Sequence, residues 1–412
     1  MGPVWTEHMR SWLAERAAAL GFDLAAVAPV PERDSPDGLL ERERFEQWIA
    51  AGRAGEMEYL KRRNHDGELM RSHLHAAFPW ARSVVVCAFN YNAALPGEQA
   101  PAPRSIDPAP QSAGWIGRYA WSGRARVGVP AEDVAERDAS PSHLPTDYHD
   151  ELLWRLRALE QELVAHMPCE TRSYVDTGPM VERVAAQRAG LGWVAKNTCI
   201  INQQIGSYTL LASIITSLEC APEFTVEPAA DRCGSCTRCI EACPTGALVA
   251  PRQMDGSLCI AYLTIEKKGS IAEELRAPMG RQVFGCDICQ DVCPWNRRAP
   301  VTQRDGMEPR AELVNPDLAW LAEMDSAAFR LNFRGSPLER TGRKRLHRNV
   351  AIAMGNSGDP RFRVQLEAWA AGEDPVLAES AQWALRQLAV PKPFATTEPE
   401  GLDSHVAASI EQ

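Results

Sequence analysis

The sequence predicts an α+β chain in three parts: an α/β segment over residues 1–225, a cysteine module over 226–300 and a helical tail over 301–390, with 391–412 as a flexible C-terminus. Three observations predict it. Residues 1–225 alternate helical and β-branched runs, eight closely spaced cysteines fall between 233 and 293, and the stretch from about 340 is helical and faintly repetitive. Met9, Leu13, Ala17 and Leu20 share one face of a helix over Thr6 to Leu20, and a short strand follows over Phe22 to Val27. Leu39 to Leu60 reads as helical, broken at Gly52 and Gly55. Ser83 to Phe89 is continuous and β-branched, as in a strand buried on both faces. The Pro-, Ala-, Gly- and charge-rich stretches Ala93 to Pro110 and Arg124 to Pro145 read as loops or insertions. A helix over Tyr148 to His166 and a strand near Glu170 to Val175 come next. A helix and two β-like runs, Thr198 to Asn202 and Ser207 to Ile215, fill the segment from Gly178 to Leu218. In the tail, Ala353-Met354 and Ala384-Leu385 occupy equivalent points of two helices, which suggests a short HEAT-like repeat.

Composition narrows the function. With 45% hydrophobic and 24% charged residues, the 412-residue chain is not a disordered one. A formal charge of −10 excludes a uniformly basic surface, so any nucleic-acid contact must come from a local patch. The longest strongly apolar stretch, Tyr208 to Thr216, is far shorter than the roughly 18 residues of a membrane span, and no twin arginine or apolar leader opens the chain. The expected location is the cytoplasm, and no membrane partner is expected. Twelve cysteines there are not expected to form disulfides.

Cys233-x2-Cys236-x2-Cys239-x3-Cys243-Pro244 has the bacterial ferredoxin spacing for a [4Fe–4S] cluster. Three thiolates two residues apart can wrap one cube, and the fourth points toward a second. The second run, Cys286-x2-Cys289-x3-Cys293-Pro294, has Val283 where a leading cysteine would stand, and Cys259 is the replacement upstream. The expected sets are Cys233, Cys236, Cys239 and Cys293 for one cluster, and Cys243, Cys259, Cys286 and Cys289 for the other. Zinc is the alternative, but one tetrahedral ion would leave four cysteines idle. Two neighbouring clusters make a wire that needs a terminal acceptor, and the module contains none.

Outside the module, Asp176-Thr177-Gly178-Pro179 follows a strand and precedes a helix. A carboxylate there serves either as a general acid or as a helix N-cap, and local sequence leaves both open. The Gly190-to-Asn197 stretch allows close backbone approach to a ligand or makes a tight helix-to-strand connection. Arg340, Arg343, Lys344, Arg345, His347 and Arg348 form either a phosphate footprint or a solvated helix face.

The ordered set of DTGP with Glu182-Arg183, GLGWVAKN, the CxxCxxCxxxCPTGAL run, Cys259-Ile-Ala-Tyr-Leu-Thr-Ile-Glu266 and GCDICQDVCPWN resembles the epoxyqueuosine reductases over roughly residues 5 to 390. The resemblance implies a nitroreductase-like cobalamin domain followed by a two-cluster ferredoxin-like module and HEAT-like helices that bind tRNA. It further implies reduction of epoxyqueuosine in the tRNA anticodon to queuosine, with cobalamin as the acceptor for the two [4Fe–4S] clusters and Asp176 as the proton donor. Arg62, Gly117, Asp176, Ile200, Leu211, Glu266, Cys286 and Asp287 match cobalamin contacts. Tyr262 matches a tRNA contact, and Arg343, Lys344, Arg345 and Arg348 are the tail's tRNA candidates. An unidentified electron donor and a monomer are implied. Against the family pattern, Ala195 replaces a glycine, Cys199 replaces an aliphatic residue in a packing position, and the linker between Tyr119 and Asp147 is expanded. Two other readings remain: a reductive dehalogenase-like cobalamin enzyme acting on a small molecule, and a ferredoxin-like carrier without catalysis.

Overall fold

The computed structural model describes residues 3–93, 105, 110–125, 143–302 and 304–389. The expected flexible C-terminus and most of the enlarged loop lie outside the described residues. Thr6 caps helix α1 (Glu7–Ala19), its hydroxyl accepting from the Met9 amide at 3.4 Å, and Met9, Leu13 and Ala17 face the core. Strand β1 (Leu24–Pro29) follows. Helix α2 (Pro36–Ala50) begins earlier than its periodicity suggests, because Ser35 caps it and Pro36 fits the first turn. It stops before Gly52 and Gly55, which have positive φ.

Strand β2 (Ser83–Asn90) is buried at every position. It sits between β1 and the long strand of residues 209–216 in a four-stranded antiparallel sheet. Helix α3 (Tyr148–His166) presents Leu152, Leu156, Leu159 and Leu163 to one face of that sheet. Strand β3 (Thr171–Tyr174) leads through the Asp176 turn into helix α4 (Glu182–Arg188), which packs Ala185 and Ala186 on the opposite face. Strand β4 (Thr209–Thr216) pairs with β2 and β3, aligning Ser213 with both Val86 and Tyr174. Apolar clusters on both sides explain why β2 reads as an uninterrupted hydrophobic run.

The cysteine module is built from short turns. Its helices α5 (Arg238–Glu241), α6 (Ile260–Ile265) and α7 (Ile288–Asp291) each start within two residues of a cysteine. The tail contributes α8 (Gly342–Ser357), α9 (Arg363–Ala370) and α10 (Pro375–Ala389). Gly355 lets α8 and α10 touch: a Cβ there would stand 2.7 Å from the Ala384 Cα. Module and tail share one hydrophobic core, in which Leu263, Val283 and Phe284 join Leu346, Val350 and Trp383. Buried Val283 therefore packs where the second run lacks its leading cysteine. Among the described residues, no helix is long and apolar enough to cross a membrane.

Candidate active site

The fold gathers the module's thiols into two groups. Cys293 lies within electrostatic reach of Cys233, Cys236 and Cys239, and the Cys239 thiol is raised first by burial and then by Cys233 and Cys236. Cys286 lies within reach of Cys259 and Cys243, and Cys289 within reach of Cys286 and Cys259. All are free of disulfides, and among the described residues no three His, Cys, Asp or Glu side chains close on a single-ion site. Eight thiols at ferredoxin spacing suit two multi-iron cubes better than one zinc ion. The Trp193 indole donates to Cys233 Sγ at 3.4 Å and stacks edge-on against Trp295. Cys199 is a fifth thiol beside the second group, and its hydrogen bond with Cys289 lowers its pKa.

The Gly190-to-Asn197 stretch forms a tight connection. A Cβ on Gly192 would clash with the Ile201 carbonyl, so this glycine serves backbone packing. Despite Ala195, Lys196 reaches the first cysteine loop and Asn197 the second.

Asp176 is not a helix cap. Helix α4 starts at Glu182, with Val181 at its cap position, and the Asp176 carboxylate turns instead toward the start of α3. The Tyr148 hydroxyl donates to Asp176 Oδ2 at 3.1 Å, and His149 Nε2 lies 3.8 Å from the same oxygen. Asp176 holds a left-handed backbone, φ 58°, and its amide donates to Glu182 Oε1 at 3.2 Å. Its side chain is 67% exposed. Desolvation pushes its carboxyl up, but His149, Tyr148 and the Arg183 guanidinium outweigh this and hold it below the usual range. Burial, with Asp176 nearby, pushes Glu182 up to about 8.

Behind Asp176 stands a second carboxylate. Asp147 caps α3 through the His149 amide at 2.9 Å and binds His149 Nδ1 at 2.7 Å. Arg340 arrives from the tail, donating to Asp147 Oδ2 at 3.0 Å and facing His149 Nε2 at 3.0 Å. Sequence reasoning missed this group. The only local signal was the Asp-Tyr-His run at a helix start.

The other candidates fall into two packed groups. Gly117 donates to the Phe284 carbonyl at 2.7 Å, and the neighbouring Arg118 amide donates to Asp287 at 2.8 Å, which ties Gly117 to Cys286 and Asp287. Asp287 is buried and also accepts from Trp115, so its carboxylate serves the fold. Tyr119 links the first of these to Asp176 by packing on both Phe284 and Tyr148. Ile200 and Leu211 share the apolar cluster with Tyr174 and Met180. Exposed Arg62 ends the turn that carries Tyr59, whose hydroxyl is pushed up to about 12 by burial, then by Glu266 and Asp176.

Three expected tRNA contacts are corrected. Tyr262 is buried, and its hydroxyl accepts from the Glu56 amide at 2.9 Å. Arg348 is buried, donating to the carbonyls of Lys267, Gly269 and Leu263. Arg345 spends its guanidinium on the carbonyls of Thr341, Ile265 and Arg340. Arg345 and Arg348 hold the tail on the module, and Tyr262 ties the module to the α/β segment. Lys344, at 81% side-chain exposure, and half-buried Arg343 remain at the surface.

Comparison with known proteins matches this geometry to a family. A family model described as "4Fe-4S double cluster binding domain" matches residues 232–296, and one described as "Epoxyqueuosine reductase QueG, DUF1730" matches residues 71–177. The epoxyqueuosine reductase of Vibrio cholerae is 33% identical over 383 residues, covering 92% of each chain. The chain belongs to the epoxyqueuosine reductase family. The Pseudomonas aeruginosa reductase is 35% identical over 92% of this chain and 94% of its own. A solved epoxyqueuosine reductase with an epoxyqueuosine-modified tRNA-Tyr stem loop superimposes with a TM-score of 0.74 at 30% identity, covering 93% of this chain and 91% of its own. The Streptococcus thermophilus reductase gives 0.72 at 25% identity, covering 93% and 92%.

Within the family's double-cluster domain, the residues present fit their cofactor. Eight free thiols form two groups, and each group is pinned to the α/β domain by a polar side chain.

Proposed function

We propose that this chain reduces epoxyqueuosine in the tRNA anticodon to queuosine, with two [4Fe–4S] clusters, cobalamin and Asp176 as general acid. The observation that carries the reading is Asp176: an exposed carboxylate beside His149 and Tyr148, sharing the Tyr59 hydroxyl as a neighbour with Glu266. Cys233, Cys236, Cys239 and Cys293 would hold one cluster, and Cys243, Cys259, Cys286 and Cys289 the other. Arg62, Gly117, Ile200, Leu211, Glu266, Cys286 and Asp287 would line the cobalamin site. Gly117, where a Cβ would press on Tyr119, and the apolar cluster holding Ile200 and Leu211 support that assignment. Bound there, the clusters and corrin supply two low-potential electrons, one at a time.

The chain's own residues then manage protons. Converting an epoxide to an alkene and water takes two electrons and two protons. Asp176 donates to the departing oxygen, Tyr148 and His149 orient its carboxylate, and Glu182 holds its strained backbone in place. Because its neighbours hold the Asp176 carboxyl below the usual range, it is ionised at neutral pH in this state and must take up a proton before it can donate one.

The tail, read as HEAT-like repeats, would present Arg343 and Lys344 to RNA phosphates. The domain division at 225 and 300, a monomeric state, a cytoplasmic location and a separate electron donor complete the reading. Asp176→Asn tests it: both cofactors should bind while turnover of epoxyqueuosine stem-loop RNA falls by about 100-fold or more. Full activity in that variant would overturn the acid assignment.

A further inference from the structure

The indole of Trp193 is buried, and among the described residues its N–H has one acceptor, Cys233 Sγ at 3.4 Å. A buried indole N–H needs a partner, and here the partner belongs to the first cysteine group. Among the described residues it is also the one side-chain N–H that reaches a cysteine sulfur. Cys289, in the second group, has the Cys199 thiol beside it, a weak donor.

One clamp holds both ends of the contact. Trp193 and Val194 pair antiparallel with Ile201 and Ile200, and the Val194 carbonyl accepts from Arg252 Nε at 3.1 Å. The same guanidinium pairs with Asp231, whose Oδ1 accepts from the Cys233 amide at 2.9 Å. Arg252 therefore ties the strand that carries the donor to the loop that carries the acceptor. Trp295 packs edge-on against Trp193, with ring centroids 5.2 Å apart, and both rings share an apolar cluster with Cys233 and Cys293. The donor thus acts in a water-poor setting, where a hydrogen bond to a charged sulfur is strengthened.

We infer that Trp193 is a positioning residue that sets the potential of the first cluster, its indole N–H stabilising the reduced cube through Cys233. The inference rests on the two-cluster part of the proposed function and is independent of the RNA substrate. Reduction adds one electron to the cube and its sulfur ligands, with no bond broken and no proton taken up. The added negative charge strengthens an N–H···S bond, so the bond favours the reduced form and raises the potential. In the first cysteine loop Arg232, Gly234, Ser235 and Arg238 are exposed, whereas Asp287 and Ile288 beside the second group are buried. The bond thus biases an electron from a low-potential donor toward the cube on the solvent side.

The test is a potentiometric titration of anaerobically reconstituted full-length enzyme with dithionite, each reduced cluster being read by electron paramagnetic resonance. The first cluster is assigned as the signal that survives in Cys259→Ala. Trp193→Phe keeps a ring in place and removes the donor. At a fixed ambient potential its ratio of reduced to oxidised first cluster should fall by about threefold to tenfold, a negative shift of up to about 59 mV for one electron. The second cluster should not move. Trp295→Phe, which alters the same aromatic pair and leaves the bond, should keep both potentials. Equal potentials in wild type and a Trp193→Phe that retains about eight irons would overturn the inference, as would equal shifts in the two variants. A further arm needs no variant. In wild type carrying 15N-indole tryptophan, pulsed resonance of the reduced first cluster should show a 15N coupling and an exchangeable proton, and absence of both would overturn the inference. Iron content keeps the two readings apart: a wild type that cannot hold two cubes sinks the cluster assignment, whereas two cubes with an unmoved potential sink the role of Trp193 alone.

Discussion

Lys196 and Asn197 are adjacent in the chain yet hold different cysteine loops. Lys196 Nζ donates to the carbonyls of Gly234 at 2.7 Å and Cys236 at 3.0 Å, whereas Asn197 Nδ2 donates to the Cys289 carbonyl at 3.2 Å. Asn197 Oδ1 also accepts from the Cys199 amide at 3.2 Å, closing its own turn. Two consecutive side chains thus fix both cysteine groups against the domain that carries Asp176.

This arrangement predicts separable losses. Lys196→Ala should lower iron occupancy at the group containing Cys233, and Asn197→Ala at the group containing Cys289. Removing the buried amide should cost about 1–3 kcal/mol by leaving a carbonyl and an amide unpaired. Iron content and the electron paramagnetic resonance of each reduced cluster check this; identical losses at both sites in both variants would contradict it.

Cys199 lies against Cys289 but belongs to neither expected ligand set. Cys199→Ala should therefore retain about eight irons per chain, while Cys259→Ala should lose about four. Loss of a whole cluster in Cys199→Ala would make it a ligand and displace one of the other four.

Glu182 gives a pH signature. Burial raises its carboxyl from 4.5 to about 8, so between those values the native chain binds more protons than the unfolded one. Its contribution to stability is greatest below 4.5, declines as pH rises, and reaches its minimum above about 8. Glu182→Gln keeps an acceptor for the Asp176 amide and removes the titration. The variant should match the wild type near pH 4.5 and melt at a higher temperature at pH 8. Parallel melting curves across that range would place an ordinary, solvated carboxyl there.

The tail's arginines should divide by burial. Arg348→Met leaves three backbone carbonyls without their partner and should cost about 3 kcal/mol or more in urea unfolding. Exposed Lys344→Glu should leave stability nearly unchanged, weaken stem-loop RNA binding and flatten its dependence on salt. Stability losses of the same size in both would dissolve the distinction.

Much of this was legible because it is local. The ferredoxin spacing announced the double-cluster module, and the helix read over Tyr148 to His166 has those bounds in the fold. The continuous run from Ser83 to Phe89 announced a doubly covered strand, although nothing in it specified antiparallel neighbours. The basic stretch at 340–348 misled, because charge density along a sequence does not report which arginines face inward. Arg348 and Arg345 were absorbed by the carbonyls of neighbouring turns, and Tyr262 by the Glu56 amide.

What the sequence determined alone was the chemistry available: eight thiols at cluster spacing, a carboxylate after a strand, and a helical tail with cations. Only tertiary structure decided how those groups act on one another. It brought Asp176, Tyr148, His149, Asp147 and Arg340 together from three separate stretches of chain. Spacing records the geometry of one loop or one helix, whereas carboxyl charge depends on distances across the fold, which local sequence does not encode.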